Sequence, residues 1–159
     1  MAGISDYCFE TEPNPKNESA LIYRGNAYSA KGGHTAAITD YDNALQINPT
    51  NYLIYYNRGN SKLATHDFDG AIADYSKQLE INPKFAKGFN NRGNAKGQKL
   101  DLQGAIADYS SAIAIDSKYA MAYKNRGLAK KAVGDIAGGD ADLKRAEELT
   151  KENGSETKN

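Results

Sequence analysis

Residues 55–83 read YYNRGNSKLATHDFDGAIADYSKQLEINP, and this stretch decides the fold. Its second half places Phe68, Ile72, Tyr75 and Leu79 at steps of four, three and four, the spacing of one face of an α-helix. Asp67 precedes that face, where a carboxylate accepts the unpaired backbone N–H groups of a helix start. Asn82-Pro83 closes the segment, because proline lacks an N–H and clashes with the preceding turn. A first helical stretch, Tyr55 to about Ala64, ends at the break Thr65-His66-Asp67. The stretch therefore predicts a helical hairpin whose second helix covers 69–81.

The same hairpin recurs in both directions along the chain. Arg-Gly-Asn begins at Arg24, Arg58 and Arg92, and Arg126 opens the variant Arg-Gly-Leu, each 34 residues after the last. Asp40-Tyr41, Asp74-Tyr75, Asp108-Tyr109 and Asp142-Leu143 keep the same interval, as do Ala37-Ile38, Ala71-Ile72 and Ala105-Ile106. Asn48-Pro49 and Asn82-Pro83 share it too. Apolar faces equivalent to that of Tyr75 run through Ile38, Tyr41 and Leu45 and through Leu102, Ile106, Tyr109 and Ile113. One period carried by several kinds of marker predicts stacked copies of one unit. Gly25, Gly59, Gly93 and Gly127 fall inside the first helix, where each costs roughly 1 kcal/mol against alanine. A glycine kept there predicts close approach of a neighbouring helix.

Composition narrows the function classes. Lysine plus arginine equals aspartate plus glutamate at 20 each, so the basic excess that neutralises nucleic-acid phosphates is missing. The apolar runs are a few residues long, against the roughly 20 that span a bilayer, so membrane insertion is not expected. MAGISDYCFE carries neither a basic start nor a long apolar stretch, so no secretory signal is encoded and a cytoplasmic setting is favoured. Cys8 is the single cysteine, which excludes an intramolecular disulfide and a cysteine-built zinc site. It sits on an apolar stretch with no activating histidine nearby, as a packed thiol would. His34 and His66 fall at inter-helix turns without metal-ligand spacing, and no glycine-rich phosphate loop follows a strand. No catalytic residue, metal or cofactor is expected.

A two-helix unit of this length resembles the tetratricopeptide repeat. That family places a large apolar residue at position 4, small residues at 8, 20 and 27, an aromatic at 24 and proline at 32. Repeat one, 18–51, matches with Leu21, Gly25, Tyr28, Ala37, Tyr41, Ala44 and Pro49. Repeat two, 52–85, matches with Tyr55, Gly59, Ala71, Tyr75 and Pro83, and has Gln78 where a small residue is usual. Repeat three, 86–119, has Phe89, Gly93, Ala105, Tyr109 and Ala112, with Ser117 in place of proline. Repeat four, 120–153, keeps Tyr123, Gly127 and Ala146 and departs with Gly139, Asp140 and Leu143. The resemblance implies an all-α, right-handed superhelical solenoid of antiparallel helix hairpins, with about four repeats plus a leading half repeat. Residues 1–17 continue the register through Ile4, Asp6-Tyr7 and Asn14-Pro15. They read as the second helix of a truncated repeat or as a capping helix, and their fidelity to the pattern favours truncation. Lys144, Arg145, Glu147 and Glu148 make the last helix polar, as a C-terminal cap would be, and 154–159 reads as a disordered tail.

The resemblance also implies a concave face built from first-helix positions 2, 5, 6, 9, 12 and 13. Position 6 is Tyr23, Asn57, Asn91 and Asn125, and position 9 is Asn26, Asn60, Asn94 and Leu128. Residues three apart share a helix face, so stacked repeats would align these side chains as a ladder. A side-chain amide offers donors and an acceptor, matching both groups of a peptide bond. Asparagine costs roughly 0.7 kcal/mol in a helix interior, so its recurrence needs a reason. The family supplies one, since asparagine ladders hold extended peptides in several of its members. A second reading stands beside it: duplicated repeats share residues by descent, and the asparagines brace helix packing. Ile22, Tyr23, Tyr56, Leu63 and Met121 would add apolar selectivity, and Lys87, Lys124 and Lys131 would favour an acidic ligand. The subgroup that grips a terminal carboxylate is not matched, because Ile22 and Asn91 stand where two cations belong.

Arg24, Arg58, Arg92 and Arg126 occupy position 7, usually leucine in the family, and each has an aspartate at position 23. This pairing predicts a partly buried ion pair, Arg24 with Asp40 and so on along the chain. The expected function is a non-catalytic scaffold binding an extended segment of another protein. The alternatives are a substrate-recruiting arm of a larger enzyme and a self-associating segment that stacks through its N-terminal helix. RNA binding is disfavoured by the period and the balanced charge.

Overall fold

A computed structural model describes residues 17–156 of the chain, with side chains to residue 152. Residues 1–16, which carry nearly all of the expected leading half repeat, and 157–159 lie outside the described residues. The described residues are all-α, without a strand, and divide into two units at Pro83 and Lys84.

The first unit contains α1 (Glu18–Ala30), α2 (His34–Ile47), α3 (Tyr52–Ala64) and α4 (Phe68–Ile81). Each helix packs on its successor, and α1 also meets α3. Asn17 and Asn51 cap the first helix of each hairpin by accepting from the backbone N–H of Ala20 and Leu53, both at 3.1 Å. The cap at Asn51 starts α3 three residues before the helix predicted from Tyr55. Asp67 caps α4 and accepts from the Gly70 N–H at 3.0 Å, as its position predicted. His34, expected in the turn, is instead the first residue of α2. Leu21, Ala37, Tyr41, Ala44, Leu45 and Ile54 form the core, with Ile22, Tyr28 and Tyr55 packed on its edge.

The second unit repeats the plan with α5 (Ala86–Gln98), α6 (Leu102–Ile115), α7 (Ala120–Ala132) and α8 (Ile136–Glu156). Its core centres on Ala105, Tyr109 and Ala129 with Ile106 against them. The long α8 carries helix to Glu156, so the disordered tail predicted from residue 154 begins as helix. Asp101 and Asp135 repeat the cap, accepting from Gly104 and Gly138 at 2.9 Å. No helix among the described residues is long and apolar enough to cross a membrane.

The close approach predicted at the recurring glycine is a tyrosine ring. A Cβ on Gly25 would lie 2.8 Å from Tyr41 Cε1, on Gly59 2.8 Å from Tyr75 Cε1 and on Gly93 2.7 Å from Tyr109 Cε1. In repeat four Leu143 replaces the ring, and the space over Gly127 is shared by backbone and side chain: its Cβ would meet the Gly139 carbonyl oxygen at 2.9 Å and Leu143 Cγ at 3.0 Å. The small residue at each site is thus matched to what the second helix brings against it.

Candidate functional site

The second-helix tyrosine that presses on the glycine also reaches the asparagine beside it. Tyr41 Oη donates to Asn26 Oδ1 at 2.7 Å, Tyr75 Oη to Asn60 Oδ1 at 2.7 Å, and Tyr109 Oη to Asn94 Oδ1 at 2.9 Å. Tyr41 and Tyr75 are fully buried, and Tyr109 is 5% exposed. Burial, and then the neighbouring Asp40 or Asp108 carboxylate, pushes the phenols of Tyr41 and Tyr109 up to about 12. They therefore keep their protons throughout the neutral range.

The asparagines also bond one another. Asn57 Nδ2 donates to Asn26 Oδ1 at 3.1 Å in the first unit, and Asn125 Nδ2 donates to Asn94 Oδ1 at 3.0 Å in the second. Asn125 Nδ2 also donates to Asn90 Oδ1 at 3.0 Å, while Asn90 Nδ2 donates to Asn91 Oδ1 at 3.1 Å. Position-9 amides were expected to offer an acceptor as well as donors. At Asn26 and Asn94 the oxygen is already engaged twice, by a phenol from within the repeat and by an amide from the next. The packing reading of the asparagines thus accounts for their oxygens.

Asn26, Asn57 and Asn60 come together around a hollow of about 270 Å³, with Tyr41, Ser29 and Ala30 completing its lining. A second hollow, of about 240 Å³, brings Asn125 beside Tyr109, Leu102, Leu128 and Ala132. Tyr23 is 55% exposed, and Lys87 and Lys124 are exposed. Tyr56 is half-buried with its ring 6.1 Å from that of Tyr75, so its face is partly taken up in packing. Lys124 lines a different hollow, of about 600 Å³, with Met121, Leu143, Ala146, Glu147 and Lys151. This largely apolar hollow lies against the helix that was expected to be a polar cap. Lys131 forms an ion pair with Asp140 at 2.8 Å, which offsets the positive charge expected of it. Ile22 packs on the first core.

Away from the amides, the predicted Arg–Asp pairs are bidentate. Arg24 Nε and Nη2 reach Asp40 at 2.8 and 2.6 Å, and Arg58, Arg92 and Arg126 hold Asp74, Asp108 and Asp142 in the same way. The four aspartates are buried. Lys62, Lys96 and Lys130 add a second cation to Asp74, Asp108 and Asp142 at 2.8 to 2.9 Å. Repeat one has Tyr28 at the equivalent of Lys62. Arg58, Arg92 and Arg126 lie over the rings of Tyr55, Phe89 and Tyr123 at 5.4 to 5.6 Å. Arg58 also reaches Asp42 of the preceding repeat, and Arg126 reaches Ser110. Burial opposes the charge on Arg58, but the Asp74 and Asp42 carboxylates outweigh it and hold its guanidinium protonated above the usual range. Burial alone would raise the Asp142 carboxyl, yet hydrogen bonds from Arg126 and Lys130 hold it below the ordinary range.

Sequence reasoning missed three groups of residues here. The lysines recur at 34 residues, which was a usable signal. The tyrosine–asparagine partnership also had one, since both residues keep the period and both become leucine in repeat four, as Leu143 and Leu128. Asn90 is 3% exposed but occurs in one repeat, so nothing periodic marked it.

Hairpins that repeat one set of contacts define a helical-repeat protein. Two tetratricopeptide models match it, one described as TPR repeat over residues 25–65 and one as Tetratricopeptide repeat over 52–85. The chain thus carries tetratricopeptide repeats over residues 25–85. It shares its fold with a crystal structure of MamA, with a TM-score of 0.91 at 22% identity over 96% of this chain and 89% of that one. MamA from Desulfovibrio magneticus RS-1 gives 0.88 at 17% identity, covering 94% of this chain and 84% of that one. The first TPR of Spaghetti, solved bound to the HSP90 peptide SRMEEVD, gives 0.71 at 22% identity over 73% of this chain and 92% of its own. No curated protein sequence matches the chain significantly.

Proposed function

We propose that this chain is a non-catalytic protein-interaction scaffold whose repeats hold an extended peptide segment of a partner protein. The hollow of about 270 Å³ that gathers Asn26, Asn57 and Asn60 carries this reading, because side-chain amides line it and can match the N–H and C=O of a peptide bond. Asn91, Asn94 and Asn125 bring the same chemistry to the second unit, and the hollow at Leu102 and Leu128 suits an apolar ligand side chain. Tyr23, Lys87 and Lys124 are exposed, where Tyr23 would add apolar contact and the lysines would favour acidic residues. The peptide-bound Spaghetti domain supports the use of this fold for the purpose.

The test is selection from a displayed peptide library against the full chain, repeated with Asn57, Asn60, Asn91 and Asn94 changed to alanine. Thermal melts would confirm folding of each variant. We expect selected peptides to lose at least about tenfold in affinity, since each truncated amide removes up to roughly 1 kcal/mol. Unchanged binding would remove the asparagines from the mechanism.

A further inference from the structure

We infer that Tyr41 and Tyr109 are positioning residues that lock the Asn26 and Asn94 amides with their Nδ2 hydrogens toward the ligand, so that these rungs read hydrogen-bond acceptors: peptide carbonyls or carboxylates. The inference rests on the peptide-binding reading above and fixes the chemistry of two of its contacts. A side-chain amide left to itself can turn over and present either end. Here it cannot. Asn26 Oδ1 accepts from Tyr41 Oη at 2.7 Å and from Asn57 Nδ2 at 3.1 Å, while Asn94 Oδ1 accepts from Tyr109 Oη at 2.9 Å and from Asn125 Nδ2 at 3.0 Å. Turning either amide over would set its N–H groups against a donating Nδ2, forfeit that hydrogen bond and force the phenol to exchange donating for accepting. Among the described residues nothing takes the Nδ2 hydrogens of Asn26 or Asn94. Asn26 is itself exposed and borders the 270 Å³ hollow, the space a ligand would enter.

The pattern across repeats supports the coupling. Wherever position 24 is tyrosine, position 9 is asparagine; in repeat four Leu143 stands at the first and Leu128 at the second. A phenol kept only for packing against the glycine would not require that match. Nor would an asparagine kept only for its oxygen, since aspartate would accept the same two hydrogen bonds.

That last difference gives the test. Asn26→Asp and Asn94→Asp keep the inward acceptor and remove the outward donors, whereas Tyr41→Phe and Tyr109→Phe keep the donors and release the amide. Affinity would be measured for the tightest heptapeptide selected against the wild-type chain, at low and high salt. Salt screens any new repulsion but cannot restore a missing donor. We expect each Asn→Asp variant to retain its melting transition and to bind roughly tenfold more weakly at both salt concentrations. The Tyr→Phe variants should weaken binding by roughly threefold to tenfold, because only part of the amide population then faces correctly. Should an aspartate variant unfold, the corresponding phenylalanine variant carries the test. Selected peptides that bind both sets like wild type would overturn the inference and leave the proposed function standing. Failure to select any peptide would overturn both.

Discussion

Position 15 of each repeat turns through left-handed backbone, at Gly32 (φ +82°), His66 (+62°), Leu100 (+63°) and Gly134 (+93°). Two of these are glycines, which adopt that conformation freely, and two carry side chains that do not. Leu100 is 82% exposed, so its side chain returns little packing for the strain. Leu100→Gly is therefore expected to stabilise the chain by about 0.5–1 kcal/mol, the relief of strain exceeding the entropy glycine adds to the unfolded state. Guanidinium unfolding checks this, and an unshifted or lowered midpoint would contradict it. Sequence located this turn as Thr65-His66-Asp67 but could not reveal its handedness, because neither histidine nor leucine announces positive φ. Gln78 was legible in the same partial way. It departed from the family's small residue, and the structure shows the consequence: a fully buried side chain whose Oε1 finds no hydrogen-bond partner among the described residues.

Between paired helices the governing contact is the carboxylate held by two cations. Asp74 is 3% exposed and is gripped by Arg58 and Lys62. Arg58→Leu would leave the carboxylate with one cation and Asp42 with none of its present partner. The expected cost is about 3 kcal/mol, and Arg58→Leu with Asp74→Leu should cost less than the two single changes together. Urea unfolding of the full cycle measures both terms, and a single variant as stable as wild type would show that the pair is dispensable. The Arg–Asp partnership was readable because both residues share the period on consecutive helices. The lysines keep the same period, but because a periodic lysine also describes a solvated helix face, the interval alone did not assign them to the aspartates. The recurring glycine was read correctly as a site of close approach, yet only the structure shows that a tyrosine ring fills the gap in three repeats, and the Gly139 backbone with the Leu143 side chain in the fourth.

Across the whole chain the buried phenols set an alkaline limit. An unfolded tyrosine titrates near pH 10, whereas Tyr41 and Tyr109 are raised to about 12 by burial and then by Asp40 and Asp108. Below pH 10 the rings are protonated whether folded or not, and this contribution is fully present. As pH rises from 10 to 12 the unfolded chain releases its protons first, and stability falls by at most about 3 kcal/mol per ring. Melting temperature and tyrosinate absorbance followed together should change in that window; ionisation of every tyrosine near pH 10 with no loss of stability would refute it. At the acid end Asp142 works in the opposite sense, its contribution being present above the ordinary carboxylate range and lost as pH falls through its lowered value. The all-helical architecture was legible because the repeat imposes it, and so were the positions of the candidate asparagines. The direction each amide points was not, since it depends on a phenol 15 residues further along the chain. Arg58 touches both its own repeat and the one before. Its ring partner lies three residues upstream, its aspartate 16 downstream and its reach into the preceding hairpin 16 upstream. Every such link is shorter than the period, so a gene could gain or lose whole copies and keep each of these intervals, whereas an indel of another size inside the helices between Asp42 and Asp74 would turn one of the partners off its face.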